Sequence, residues 1–192
     1  MRARTMLIVV LLLLLLAAFA YHHRLGITQR YRHYVLGLHT PPPGVLNVGE
    51  RLPAVQFTAL DGSIAPIVVK PGRVLYLDVF TTWCPGCIKE TPALEQLRQA
   101  TAGKPVDIIA IDQQEDPATV NAFIQRQGIT FPVYIDEGNI TQSAFGVRYI
   151  PVAYIVDGSG TVLAHVIGPQ SLDEMKRLVD DALHGRRVGL GG

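Results

Sequence analysis

The chain has 192 residues, 48% of them hydrophobic, which suits one domain with a real core and a segment or two outside it. Residues 1–40 hold five Arg and no acid, whereas residues 41–192 hold 12 Lys+Arg against 16 Asp+Glu, a net −4. That distribution excludes a nucleic-acid footprint and leaves a few arginines near an apolar terminus.

Arg2 and Arg4 precede an uncharged apolar run, Met6 to Tyr21, of 16 residues. A spanning helix wants about 20 residues and a signal-peptide core about 7–15, so the run falls between the two classes. No polar face is left for a soluble domain to expose, which argues against a buried core helix. We read residues 1–22 as a signal-anchor. Cleavage after Ala20, in Ala18-Phe19-Ala20, is the alternative. Both readings send the remainder across a membrane, and Arg2 and Arg4 favour a cytoplasmic N-terminus, against Arg24, Arg30 and Arg32 on the other side. Residues 23–45 read as a linker stiffened by Pro41-Pro42-Pro43.

A domain is expected over 46–186, with a flexible tail at 187–192. "LPAVQFTALDGSIAPIVV" alternates and turns at Asp61-Gly62, as a hairpin does. "RVLYLDVF" reads as a strand buried on both faces, broken by one acid. A helix should run from Cys84 to about Thr101. "VDIIAID" is a second buried strand, "DPATVNAFIQRQG" a helix with a proline start and a glycine stop, and "FPVYID" a strand. "ITQSAFG" suggests a short helix or turn. "PVAYIVDGSGTVLAHVIG" reads as a hairpin, and "SLDEMKRLVDDALHG" as a closing helix with a Ser171–Glu174 capping box. Strand–helix–strand alternation implies parallel crossovers. The predicted fold is α/β: a central mixed sheet flanked by helices on both faces, with an N-terminal β-hairpin extension.

Cys84 and Cys87 are the two cysteines of the chain. A bridge closing so short a loop removes little chain entropy, so a structural staple is a poor explanation. A zinc site needs more ligands than one C-x-x-C and scattered histidines provide. Redox chemistry remains. At a strand-to-helix turn the first cysteine meets unpaired amides and the positive end of the helix dipole, which favours thiolate over thiol. Pro85 suits the first helical position. Cys84 is therefore the expected nucleophile, with Cys87, one turn deeper, as the resolving thiol.

"LDVFTTWCPGCIKETPAL" resembles the active-site region of thioredoxin-fold proteins, above all the membrane-anchored thiol–disulfide oxidoreductases of the TlpA/ResA type. Their W-C-x-x-C-x-x-E-x-P pattern is met by Trp83, Cys84, Cys87, Glu90 and Pro92. "FGVRYIPVAYIVDGSGTV" is similar to a second segment of that family, in which a cis-proline faces the cysteines. The resemblance places Pro151 there and covers about Leu46 to Leu183. It implies a thioredoxin-like fold and a reductase of secreted or periplasmic proteins, often of the haem-binding cysteines of apocytochrome c. It further implies a membrane electron donor and substrates that carry disulfides or thiols. No organic cofactor, metal or nucleic acid is called for.

Asp78 is the one acid of an apolar strand, in the place thioredoxin uses for a buried carboxyl, where the ResA-like group more often has Asn. It is the candidate proton acceptor for Cys87; a strand-end Asp bonded to backbone or solvent is the plain alternative. Glu90 is a candidate for tuning the thiols, against a solvated carboxylate on an exposed helix face. Trp83, Pro85, Ile150 and Pro151 are expected to receive substrate, with Tyr149 as a further surface contact. A partner's extended chain would add beside Ile150 as a short strand. Pro92 should kink its helix. The histidines, His165 among them, are expected to be structural or solvated. Oxidase or isomerase action, or a non-catalytic binding module, are the alternative functions.

Overall fold

A computed structural model describes residues 46–187. The readings of residues 1–22 as an anchor, 23–45 as a linker and 187–192 as a tail lie outside the described residues, Arg187 apart. Among the described residues no helix is long and apolar enough to cross a membrane.

The chain opens with a hairpin, β1 (Gln56–Ala59) and β2 (Ile64–Pro66), whose strands pair antiparallel. β3 (Val74–Phe80) leads to α1 (Pro85–Ala100), then β4 (Val106–Asp112), α2 (Pro117–Gln127) and β5 (Val133–Ile135). A single-turn α3 (Ile140–Ser143) precedes the hairpin of β6 (Val152–Val156) and β7 (Val162–Ile167), and α4 (Leu172–Leu183) closes the domain. The strands form one sheet in the order β2-β1-β5-β4-β3-β6-β7. β3, β4 and β5 run parallel, and β6 returns antiparallel to β3.

Both crossovers from β3 to β5 step the same way across the sheet, so right-handed connections put α1 and α2 on one face. Leu94, Leu97, Val120, Phe123, Met175 and Leu178 share one core, which places α4 there too. The opposite face is covered by Leu46, Phe57, Phe145 and Val147, with Ile140 of α3 packed against them. Helices thus lie on both faces, as the alternation predicts, but three stand on one side and a single turn on the other.

Local chemistry explains the departures from the expected bounds. Helix α1 starts at Pro85; Cys84 is its N-cap, in extended backbone conformation. Strand β5 is shorter than "FPVYID": it ends at Ile135, and Asp136, whose amide still donates to the Asp112 carbonyl at 2.8 Å, turns its side chain to hold α3. Its carboxylate accepts from the amides of Ile140 (2.8 Å) and Thr141 (2.7 Å) and from the Thr141 hydroxyl (2.6 Å). The capping box is formed: Ser171 Oγ accepts from the Glu174 amide, and Glu174 accepts from the Ser171 amide.

For the site, the placement of β3 decides most. All seven of its residues are buried between β4 and β6. Asp78 is paired in register with Ala110 on one side and Ala153 on the other.

Candidate active site

β3 ends in the loop Thr81-Thr82-Trp83, and α1 begins behind Cys84. The Cys87 amide donates to Cys84 Sγ at 3.3 Å, so the sulfur occupies the place of a capping oxygen. It stands where the helix N-terminus favours negative charge. The Cys84 thiol also points at the carbonyl of Ile150, at 3.8 Å, and its amide donates to the carbonyl of Thr81 at 3.4 Å. Cys84 is 7% exposed and Cys87 2%. Burial, then the hydrogen bond with Cys84, push the Cys87 thiol well above its ordinary value, with the Thr81 backbone opposing. One sulfur thus sits at the helix mouth near the surface, and the other is kept protonated beneath it.

The Ile150–Pro151 bond is cis. Pro151 packs against Gly86: a β-carbon there would lie 3.2 Å from Pro151 Cδ, and 3.7 Å from the ring of Pro169. Around the sulfur, Trp83 is 68% exposed, and Tyr149 and Ile88 are exposed as well. Pro85 is exposed and Ile150 half-buried. These residues make an apolar rim about Cys84.

Two carboxyls lie beneath. Asp78 is buried in mid-strand, not at a strand end, and its Oδ1 has no hydrogen-bond partner. Burial pushes it up to about 7, against a backbone amide at Val79 that favours the charge. Glu90 is buried too, so the exposed-face alternative is wrong: one turn beyond Cys87, the side chain turns in toward β3 and α4. Burial, then Asp78, then the Cys84 and Glu174 charges raise it to about 9, with the Gln170 backbone opposing. The chain therefore brings Cys84, Cys87, Asp78, Glu90 and Pro151 together, with Trp83, Pro85 and Ile150 at the surface above.

Sequence reasoning missed the residues that hold this arrangement. Glu115, after β4, accepts from the Thr82 amide at 2.5 Å and from its hydroxyl at 2.7 Å, fastening the loop before Cys84. Asp112 accepts from the Glu115 amide at 2.9 Å and, being buried beside Glu115, is raised to about 8. Tyr76 and Gln170 form a buried bond of 2.8 Å. Tyr76 was legible as a residue sharing a strand face with Asp78; Glu115 and Gln170 carried no local signal. Among the described residues no group of three or more His, Cys, Asp or Glu is arranged to hold a metal.

Residues 47–182 match the model of the Redoxin family. The chain belongs to the Redoxin family. This redoxin is 30% identical over 131 residues to the thiol-disulfide oxidoreductase ResA of Bacillus thuringiensis (strain Al Hakam), covering 68% of this chain and 76% of that one. A thioredoxin-family thiol:disulfide interchange protein from Chlorobium tepidum TLS superposes with a TM-score of 0.63 at 25% identity, over 71% of this chain and 98% of the other. StoA from Bacillus subtilis superposes at 0.58 with 22% identity, over 71% and 98%, a likeness of fold. The fold is thioredoxin-like, and the redoxin is a thiol–disulfide oxidoreductase.

Proposed function

We propose that the protein reduces disulfides of other proteins outside the cytoplasmic membrane, with Cys84 as nucleophile and Cys87 as resolving thiol. The observation that carries this reading is the Cys87 amide pointing at Cys84 Sγ from the helix mouth. The Cys84 thiolate attacks one sulfur of the substrate disulfide. A Cys84–substrate disulfide forms, and the other substrate sulfur leaves as thiolate. Cys87 then gives up its proton and attacks Cys84 Sγ. The Cys84–Cys87 disulfide closes and the second substrate sulfur leaves. Two electrons have passed to the substrate, and its two thiolates take their protons from solvent. Asp78, raised to about 7, is matched to take the Cys87 proton near neutrality.

The direction is supported by charge. Burial and Asp78 beneath the pair disfavour the Cys87 thiolate but leave a neutral disulfide untouched, so the pair gives up electrons readily. A histidine between the cysteines would oppose this, and the dipeptide there is Pro85-Gly86. Substrate is received on the apolar rim, its backbone beside Ile150 as an added strand. A dithiol donor in the membrane would reduce the spent disulfide. The haem-binding cysteines of an apocytochrome c are the substrate class to which the ResA likeness points, and residues 1–22 would anchor the domain.

Two experiments test this. Insulin reduction must turn over with the wild-type chain and stop in Cys84→Ala; equal activity in the variant would overturn the reading. In cells, Cys87→Ala must accumulate mixed disulfides on Cys84, whose identification names the substrate, and a reporter fused after Gly192 must read out on the far side of the membrane.

A further inference from the structure

Between Phe80, the last residue of β3, and the cap Cys84, the loop Thr81-Thr82-Trp83 belongs to neither strand nor helix. The carboxylate of Glu115 grips its middle residue with both oxygens. Oε2 accepts from the Thr82 amide at 2.5 Å and Oε1 from the Thr82 hydroxyl at 2.7 Å. A two-point bond to a carboxylate fixes direction as well as distance. The next two residues are Trp83, 68% exposed on the rim, and Cys84, whose amide turns back to the carbonyl of Thr81 at 3.4 Å.

Glu115, 33 positions further along the chain, is itself held in place. Phe80 and Asp112 are paired in register where β3 and β4 end side by side, and the Gln113 amide donates to the Phe80 carbonyl at 3.0 Å. Asp112 Oδ1 accepts from the Glu115 amide at 2.9 Å, closing a turn over residues 112–115. Inside that turn Gln114 has φ 68°, a left-handed conformation seldom adopted by a residue with a long side chain. Asp112 is wholly buried, and its other oxygen has no hydrogen-bond partner. Both features cost stability and persist only where their surroundings fix them. Here they fold the chain after β4 back, so that the Glu115 carboxylate meets Thr82.

We propose that Glu115 is a positioning residue of the thiol site: anchored at the end of β4, it clamps Thr82 and so sets the loop that presents Trp83 and Cys84 to a substrate protein. This rests on reading Cys84 and Cys87 as an exchange pair, but its test follows the loop and not the reaction. Trp83 is the single tryptophan of the chain, so its fluorescence reports on this loop alone.

The test is the fluorescence anisotropy decay of Trp83 in the reduced full chain, whose fast component measures local motion of the indole. In Glu115→Ala, which loses both bonds, the amplitude of that component should rise at least about twofold, since two bonds to a carboxylate hold the residue beside it. Thr82→Val keeps the amide bond, loses the hydroxyl one and should raise the amplitude by less. Glu115→Gln can offer Oε1 to the amide and an N–H to the hydroxyl oxygen, and should stay near wild type. An amplitude in Glu115→Ala equal to wild type, with unchanged far-ultraviolet circular dichroism, overturns the proposal, and so does Glu115→Gln behaving as Glu115→Ala does. If Glu115→Ala does not fold, Thr82→Val decides, and an unmoved amplitude there overturns it too. Failure of insulin reduction by the wild-type chain would sink the proposed function without touching this measurement.

Discussion

Gly86 lies so close to Pro151 that a β-carbon on it would stand 3.2 Å from the proline Cδ. Inside a helix, alanine normally stabilises by about 0.5–1 kcal/mol over glycine. Here the methyl must push on Pro151 and meets Pro169 as well. Gly86→Ala is expected to bring no gain, with a thermal midpoint equal to or below wild type. Gly86→Val should lower it further and slow insulin reduction. A midpoint several degrees higher for Gly86→Ala would show that the proline wall yields freely.

The two thiols should differ sharply in reactivity. Cys84 is the N-cap and borders the exposed rim, while Cys87 is buried and held protonated. At neutral pH iodoacetamide should label Cys84 at least about tenfold faster than Cys87, since the thiolate is the reacting form. Mass spectrometry of partially alkylated protein measures the ratio. Equal labelling of the two would remove the basis for their assigned roles.

Asp78 and Glu90 make stability depend on pH. Their folded values, about 7 and about 9, lie above the ordinary 3.8 and 4.5. The folded chain therefore holds these protons more tightly than the unfolded chain. The stabilisation is complete below about pH 4 and drains as pH rises, through about 7 for Asp78 and about 9 for Glu90. Asp78→Asn should be more stable relative to wild type at pH 9 than at pH 5, by on the order of 2 kcal/mol, with Glu90→Gln behaving alike. Urea unfolding at the two pH values checks this; a difference independent of pH would contradict it.

His165 works in the opposite sense. It stacks on Tyr154 with ring centroids 4.7 Å apart, and burial lowers it from 6.5 to about 4. The folded chain binds that proton less tightly, so the stabilisation is present above about pH 6.5 and lost as pH falls toward 4. His165→Phe keeps an aromatic ring against Tyr154 and cannot titrate. Between pH 7 and pH 4.5 its thermal midpoint should fall less than that of wild type. Parallel curves would show that His165 is not the acid-sensitive group.

Periodicity and punctuation made the fold legible. Uninterrupted apolar runs marked β3 and β4, Ser171 and Glu174 marked the start of α4, and Gly128, at φ 65°, marked the end of α2. These signals act over a few residues, so they survive in a linear reading. The capped cysteine was legible for the same reason: Cys84 and Cys87 lie within one helical turn of each other. Glu90 was ambiguous because its direction depends on how α1 rolls against β3 and α4.

By itself the sequence determined the order of elements and the dithiol, because backbone preferences and short-range spacing decide those, while the place of Pro151 opposite the cysteines was implied by the family resemblance. Tertiary structure alone decided that Glu90 is buried, that Glu115 fastens Thr82, and that Gln170 joins Tyr76 across 94 positions. Such bonds form only after strands and helices have packed, when distant polar groups lose water together and must find partners in each other.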